Sequence, residues 1–264
     1  MTNLYSLPDE ILVEADGPIR IVTLNRPEAR NPASTAMLFA LTELAKALNA
    51  DGEARVAVLT GAGKAFSAGG DFQHFVRCSR EPEVSRLTLE NARTFITAML
   101  DLRIPVIAAV NGAAVGFGAT LAALSDIVLI ADDAFIAEPH VNIGLVLGDG
   151  ISITWPFYMS LLKAKEYIFT GDRISSAEAV ACGLANRAVA KGELLPEAVA
   201  LARRLAAQPP DALRASKQLL NAYSRSMVAS VLEPLLTEQF ERTQSKEHAG
   251  ILQGMIEAQA RKKQ

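Results

Sequence analysis

Cysteine is scarce in this 264-residue chain: Cys78 and Cys182 stand far apart. Two such residues make neither a disulfide framework nor a zinc site, so a reducing compartment, the cytoplasm, is the expectation. A basic excess is also missing. Lys and Arg number 26 against 29 Asp and Glu, for a net charge of −3. The one basic cluster, Arg261-Lys262-Lys263, reads as a solvated helix end, so nucleic acid is not an expected partner. The chain has no uninterrupted apolar stretch of membrane-spanning length. Pro105, Asn111, Gly112, Gly116 and Gly118 divide residues 104–123 into strand, turn and helix, and no membrane association is expected. The first ten residues carry neither a secretory nor a transit pattern. No nucleophile elbow, P-loop or dinucleotide fingerprint occurs.

What is present is an alternation of strand and helix. Ile19–Leu24 is rich in β-branched residues and reads as a strand. Ser34 or Thr35 caps a helix whose apolar side holds Leu38, Leu41, Leu44 and Leu48. Strands are expected over 55–60, 105–110 and 126–130, with helices from about Asp71, over 84–102 and from Gly118 to about Leu124. Segment 61–70 reads as a loop of small residues. From Ser152 onward helices are expected over 153–162, 163–169, 176–182, 193–207, 211–227 and 231–260, with a short strand over 186–189. The class is α/β, with residues 1–200 as the core and 201–264 as a helical region.

Three places could carry chemistry. In segment 61–71, small residues let a ligand approach backbone N–H groups, and the N–H of Gly70 precedes a helix. A tight strand-to-helix connection without a ligand has the same composition. Segment 111–118 also follows a buried strand and opens a helix, so its free N–H groups carry partial positive charge. Two such donors aimed at one oxygen form an oxyanion hole, and losing one typically costs about 3 kcal/mol of transition-state stabilisation. The third place is 138–150. His140 could be a general base steered by Asp149, which sits between Gly148 and Gly150. A buried histidine satisfied by a carbonyl, with Asp149 as a turn former, is the reading that the pattern alone favours. Glu138 shares a strand face with His140 and is expected at an exposed rim, with a second acid/base role as the alternative. His74 and His248 fall in polar helical contexts and read as surface residues.

In combination, Asn25-Arg-Pro-Glu-Ala-Arg-Asn31, Gly61-Ala-Gly-Lys-Ala-Phe-Ser-Ala-Gly-Gly-Asp71, Pro105-Val-Ile-Ala-Ala-Val-Asn-Gly112, Ser125-Asp-Ile-Val and Thr170-Gly-Asp172 resemble the enoyl-CoA hydratase/isomerase (crotonase) family. The resemblance implies a crotonase-like spiral of ββα turns with a C-terminal helical trimerisation region, and a homotrimer or hexamer. It implies an acyl-CoA substrate, with coenzyme A as part of that substrate and no separate cofactor or metal. It places the thioester oxygen on the N–H groups of Gly70 and Phe117, Phe117 standing where glycine is frequent. Arg26, Ala29, Ala68, Asp71, Phe72 and Gln73 would cradle the nucleotide and pantetheine. The two catalytic glutamates of hydratases align with Thr120 and His140, so the water-activating pair is absent, and a threonine hydroxyl does not ionise near neutral pH. Around Pro139-His140, Gly148-Asp149-Gly150 and Trp155-Pro156 the chain resembles the branch that contains 6-oxocamphor hydrolase, a β-diketone hydrolase. That likeness gives catalytic roles to His140, Asp149 and, on a C-terminal helix, Glu238. Intact CoA-type loops favour a thioester substrate handled by a histidine base. A CoA-independent diketone hydrolase and a non-catalytic binding protein of this fold are the alternatives.

Overall fold

The structure, a computed structural model, describes residues 4–148 and 150–261. Asp149 therefore lies outside the described residues. The chain opens with a hairpin, β1 (Ile11–Asp16) and β2 (Ile19–Leu24), in antiparallel register from Ile11 opposite Leu24 to Asp16 opposite Ile19. A 3₁₀ turn (Pro27–Ala29) leads to α1 (Thr35–Ala50), whose first turn is capped when Ser34 Oγ accepts from the Met37 N–H at 3.0 Å.

Three ββα turns follow. The first is β3 (Val56–Gly61), β4 (Ala65–Ser67), α2 (Phe72–Arg80) and α3 (Pro82–Leu100). The second is β5 (Val106–Val110), β6 (Ala113–Val115) and α4 (Phe117–Ala123). The third is β7 (Ile127–Ala131), β8 (Phe135–Ala137), a 3₁₀ turn (His140–Ile143) and α5 (Ile151–Tyr158). After them come α6 (Leu161–Thr170), β9 (Arg173–Ser175), α7 (Ser176–Cys182), β10 (Arg187–Val189), α8 (Leu194–Ala206), α9 (Pro210–Thr243) and α10 (Lys246–Arg261).

The first strand of each turn joins one sheet, ordered β1-β2-β3-β5-β7-β10, and the second joins another, ordered β4-β6-β8-β9. Pairing is parallel from β2 to β10 in the first sheet and from β4 to β8 in the second. Every residue of β3 and β5 is buried, as a parallel sheet covered on both faces requires. The corner between the sheets admits no side chain. A Cβ on Gly61 would stand 2.3 Å from the Ala65 carbonyl oxygen, and one on Gly112 would stand 2.2 Å from that of Lys64. Asn111 ties the corner, accepting from the Gly61 N–H at 3.0 Å and donating to the Gly63 carbonyl at 3.2 Å.

The expected α/β class and spiral are what the chain forms, with differences in the short strands and in the C-terminal helices. Segment 61–70, read as loop, contains β4, because Ala65 and Ser67 pair with Ala113 and Ala114 of a strand distant in sequence. The hairpin strand β1 adds an element that the sequence reading did not assign. Helices expected over 211–227 and 231–260 are instead one 34-residue helix, α9, which contains Pro234, and a separate α10. The break comes at residues 244–245, and α9 stays continuous while it packs on α3 and α5. Residue 200 falls inside α8, which lies against β2, β3, β5 and β7. No helix among the described residues is long and apolar enough to cross a membrane.

Candidate functional site

Three segments distant in sequence meet around one cavity. Its walls include Gly70 and Phe75 from the first ββα turn, Phe117 from the second, and His140 from the third; Leu38, Phe95 and Gln239 close it. Its free volume is about 90 Å³. A whole acyl-CoA cannot fit, so only the reacting end of such a molecule could enter. The Phe117 ring is part of the wall, packed 5.6 Å from that of Phe95.

The two candidate amides are oriented by the local fold. Ala33 and Gly70 form a parallel bridge in which the Ala33 N–H donates to the Gly69 carbonyl at 2.7 Å and the Asp71 N–H donates to the Ala33 carbonyl at 3.0 Å. In that pattern the N–H of Gly70 itself points away from Ala33. Phe117 is the first residue of α4, where N–H groups lack an intrahelical acceptor. Neither amide donates a backbone hydrogen bond among the described residues. Gly116, just before Phe117, has φ +49°, and a Cβ there would stand 3.3 Å from His140 Cε1. The imidazole therefore leans on the backbone turn that presents the Phe117 amide.

Glu138 is the main correction at this site. Expected at an exposed rim, it is fully buried. Its Oε1 accepts from His140 Nδ1 and from the His140 backbone N–H, the latter at 3.3 Å. Burying a carboxylate is costly unless it is paired, and the imidazole is its partner. A proton on Nδ1 leaves the lone pair on Nε2, so Glu138 sets the tautomer suited to a base. The expected shared strand face is not formed: the strand ends at Ala137 and His140 opens a 3₁₀ turn, which folds the imidazole back onto the buried Glu138. Thr120, one turn along α4 from Gly116, is fully buried, and its Oγ1 has no partner among the described residues.

Glu238 is the second correction. It is exposed on α9 and lies 3.1 Å from Arg242 Nε, one helical turn away, while the next residue, Gln239, borders the cavity. Successive helix residues point about 100° apart, and one position decides which of the two reaches the site. His74 and His248, expected at the surface, are also buried. Nδ1 of His74 bonds Thr35 Oγ1 at 2.8 Å, its Nε2 lies 3.2 Å from Thr88 Oγ1, and the ring lines the cavity. Nδ1 of His248 bonds the Ile143 carbonyl at 2.6 Å. Burial lowers both pKa values, with Arg77 adding to the effect at His74.

The expected nucleotide-binding residues lie on two adjoining loops, joined where the Ala68 N–H donates to the Arg30 carbonyl at 2.9 Å. Ala29 and Gln73 are exposed; Arg26, Ala68, Asp71 and Phe72 are half-buried. Asp71 caps α2 by accepting from the Gln73 N–H at 3.0 Å, and it also accepts from Arg26 Nη1 at 2.9 Å. Asn31 is the buried clamp beneath them. Its φ is +54°, its Oδ1 accepts from the Arg26 N–H at 2.8 Å, and its Nδ2 donates to the Ala62 and Ala65 carbonyls at 2.9 and 2.8 Å. No cluster of three or more potential metal ligands occurs among the described residues.

The enoyl-CoA hydratase/isomerase family profile matches residues 14–263. The chain is 35% identical over 235 residues to a probable enoyl-CoA hydratase of Mycobacterium leprae, covering 87% of each chain. It is 34% identical over 224 residues to a carnitinyl-CoA dehydratase of Salmonella paratyphi A, covering 84% of each. Among solved structures it matches an enoyl-CoA hydratase/isomerase from Mycobacterium paratuberculosis with a TM-score of 0.92 and 42% identity, over 95% of this chain and 100% of that one.

Proposed function

The chain belongs to the enoyl-CoA hydratase/isomerase family, and from that premise we propose that it enolises an acyl-CoA thioester with a single histidine base. The N–H groups of Gly70 and Phe117 hold the thioester oxygen. His140 Nε2 removes a proton from the carbon beside the thioester, and the bond's electron pair moves onto that oxygen. Two preorganised donors receive the developing charge, and removing one such donor costs about 3 kcal/mol in comparable sites. In a 3-enoyl-CoA the charge is shared along a dienolate, so returning the proton at C4 moves the double bond to C2–C3 and leaves His140 unchanged; in a saturated acyl-CoA the proton returns to C2. The observation that carries this reading is the meeting of Gly70, Phe117 and His140 at one cavity. Glu138 is the positioning residue for the imidazole, an orienting role that the sequence likeness also gives to Asp149. The chain works as a trimer or as a dimer of trimers.

The test is deuterium uptake at C2 of butanoyl-CoA in heavy water, followed by mass spectrometry. Uptake is expected in the wild type and should fall by about 10²-fold or more in His140→Ala. Absence of both uptake and a thermal shift with acyl-CoA would overturn the reading. A second reading has an observation in its favour, since the carboxylate-linked imidazole also suits activation of water. In that case a cyclic β-diketone is cleaved without CoA: water adds to one carbonyl, and the C–C bond breaks towards the other. His140-dependent cleavage of such a diketone, together with no acyl-CoA binding, would select it.

A further inference from the structure

The polar groups that border the cavity are almost all satisfied within the protein. His74 is held by Thr35 and Thr88, and Thr88 donates onward to the Val84 carbonyl at 2.7 Å. Asn91 donates to the Leu38 carbonyl at 3.0 Å and accepts from the Thr42 hydroxyl at 3.2 Å. Gln239 differs. It is 8% exposed and borders the same cavity, yet its Oε1 is buried with no hydrogen-bond partner among the described residues. The side chain is also confined: a Cβ on Gly148 would stand 2.5 Å from Gln239 Cγ, so loop and glutamine are in close contact. Burying an amide oxygen without a donor opposes folding, and an unpaired group of this kind in a native structure calls for an explanation. A donor that arrives with the ligand supplies one.

Resting on the acyl-CoA reading above, we propose that Gln239 determines specificity, and that the acyl group it selects carries a hydroxyl beyond the thioester. The ends of a glutamine amide exchange by rotation about its last torsion, so the oxygen or the NH₂ can face the ligand. A hydroxyl both donates and accepts and therefore suits either orientation. A plain alkyl chain leaves the amide unpaired. A carboxylate on the acyl group would place a charge in a largely apolar cavity that offers it no cation, which is unfavourable.

The test is calorimetric titration with butanoyl-CoA, 3-hydroxybutanoyl-CoA and 4-hydroxybutanoyl-CoA. The wild type should bind one of the hydroxylated ligands about tenfold more tightly than butanoyl-CoA. Gln239→Met keeps the length of the side chain and removes its polar atoms. It should abolish the preference by weakening the hydroxylated ligand about tenfold relative to butanoyl-CoA. Its thermal midpoint should not fall, because an unsatisfied buried amide is replaced by an apolar group. The wild-type comparison decides the preference even if the variant fails to fold. Equal binding of all three ligands by the wild type, or a preference that survives in Gln239→Met, overturns the inference. Failure of every acyl-CoA to bind is a separate result, and it overturns the acyl-CoA reading on which the inference rests.

Discussion

Glu138 and Asn31 are buried polar side chains with different tasks. Glu138 holds the Nδ1 side of His140, so its charge supports both the tautomer and the imidazolium that forms when Nε2 takes a proton. Glu138→Gln keeps the shape and removes the charge. Deuterium uptake should fall by about 10²-fold, with little change in acyl-CoA affinity measured by titration. Asn31 serves the fold, since its amide joins the Arg26 N–H to the Ala62 and Ala65 carbonyls. Asn31→Ala leaves those backbone groups unpaired and loses its φ +54° preference. It should cost about 2–4 kcal/mol, read as a lower urea midpoint. The sequence motif therefore contains a structural clamp as well as the residues proposed to meet CoA. Residue types made both sites visible, but burial and partners separated their roles.

The elements that present the site depend on close backbone approach. Where β5 turns into β6, Gly112 packs against the Lys64 carbonyl. Gly112→Ala should destabilise the chain by more than about 3 kcal/mol, or prevent soluble folding, because backbone atoms would have to move. Soluble expression and thermal unfolding measure this. Strand β2 and helix α1 were legible from residue types and spacing alone, since each carries a local pattern and the helix a local cap. Strands β4, β6 and β8 were not assigned. Each has only three residues, too few for periodicity, and each exists through pairing with its neighbours in the second sheet. Helix α9 shows the opposite failure. Its expected interruption before residue 231 disappears because packing on α3 and α5 keeps a helix that local propensity would divide.

At the scale of the whole molecule, His74 and His248 link stability to pH. Burial lowers both folded-state pKa values from an ordinary 6.5. The unfolded chain then binds more protons than the folded one as pH falls below that value. Their stabilising contribution is complete above about pH 6.5 and is lost as pH falls through the lowered folded values. Urea midpoints should therefore drop between pH 7 and pH 5, and less steeply in His74→Leu. The surface leads to another prediction. Leu162, Phe169, Leu219, Leu220 and Tyr223 are 82, 68, 73, 68 and 67% exposed. Apolar side chains this open on α6 and α9 fit the proposed assembly. Light scattering should give three or six times the 28.2 kDa chain mass, and Leu162→Glu with Leu220→Glu should lower it.

The α/β class, the glycine-bounded turns and the choice of His140 as the candidate base were legible in the sequence itself. Residue types, short-range spacing and family motifs act locally and survive reading in one dimension. Only the tertiary structure decided that Glu138 is buried against His140, that Gln239 rather than Glu238 borders the cavity, and that His74 and His248 lie inside. These outcomes depend on which surfaces cover one another. Burial is a property of contacts between segments far apart in the chain, and no local pattern of residues contains it.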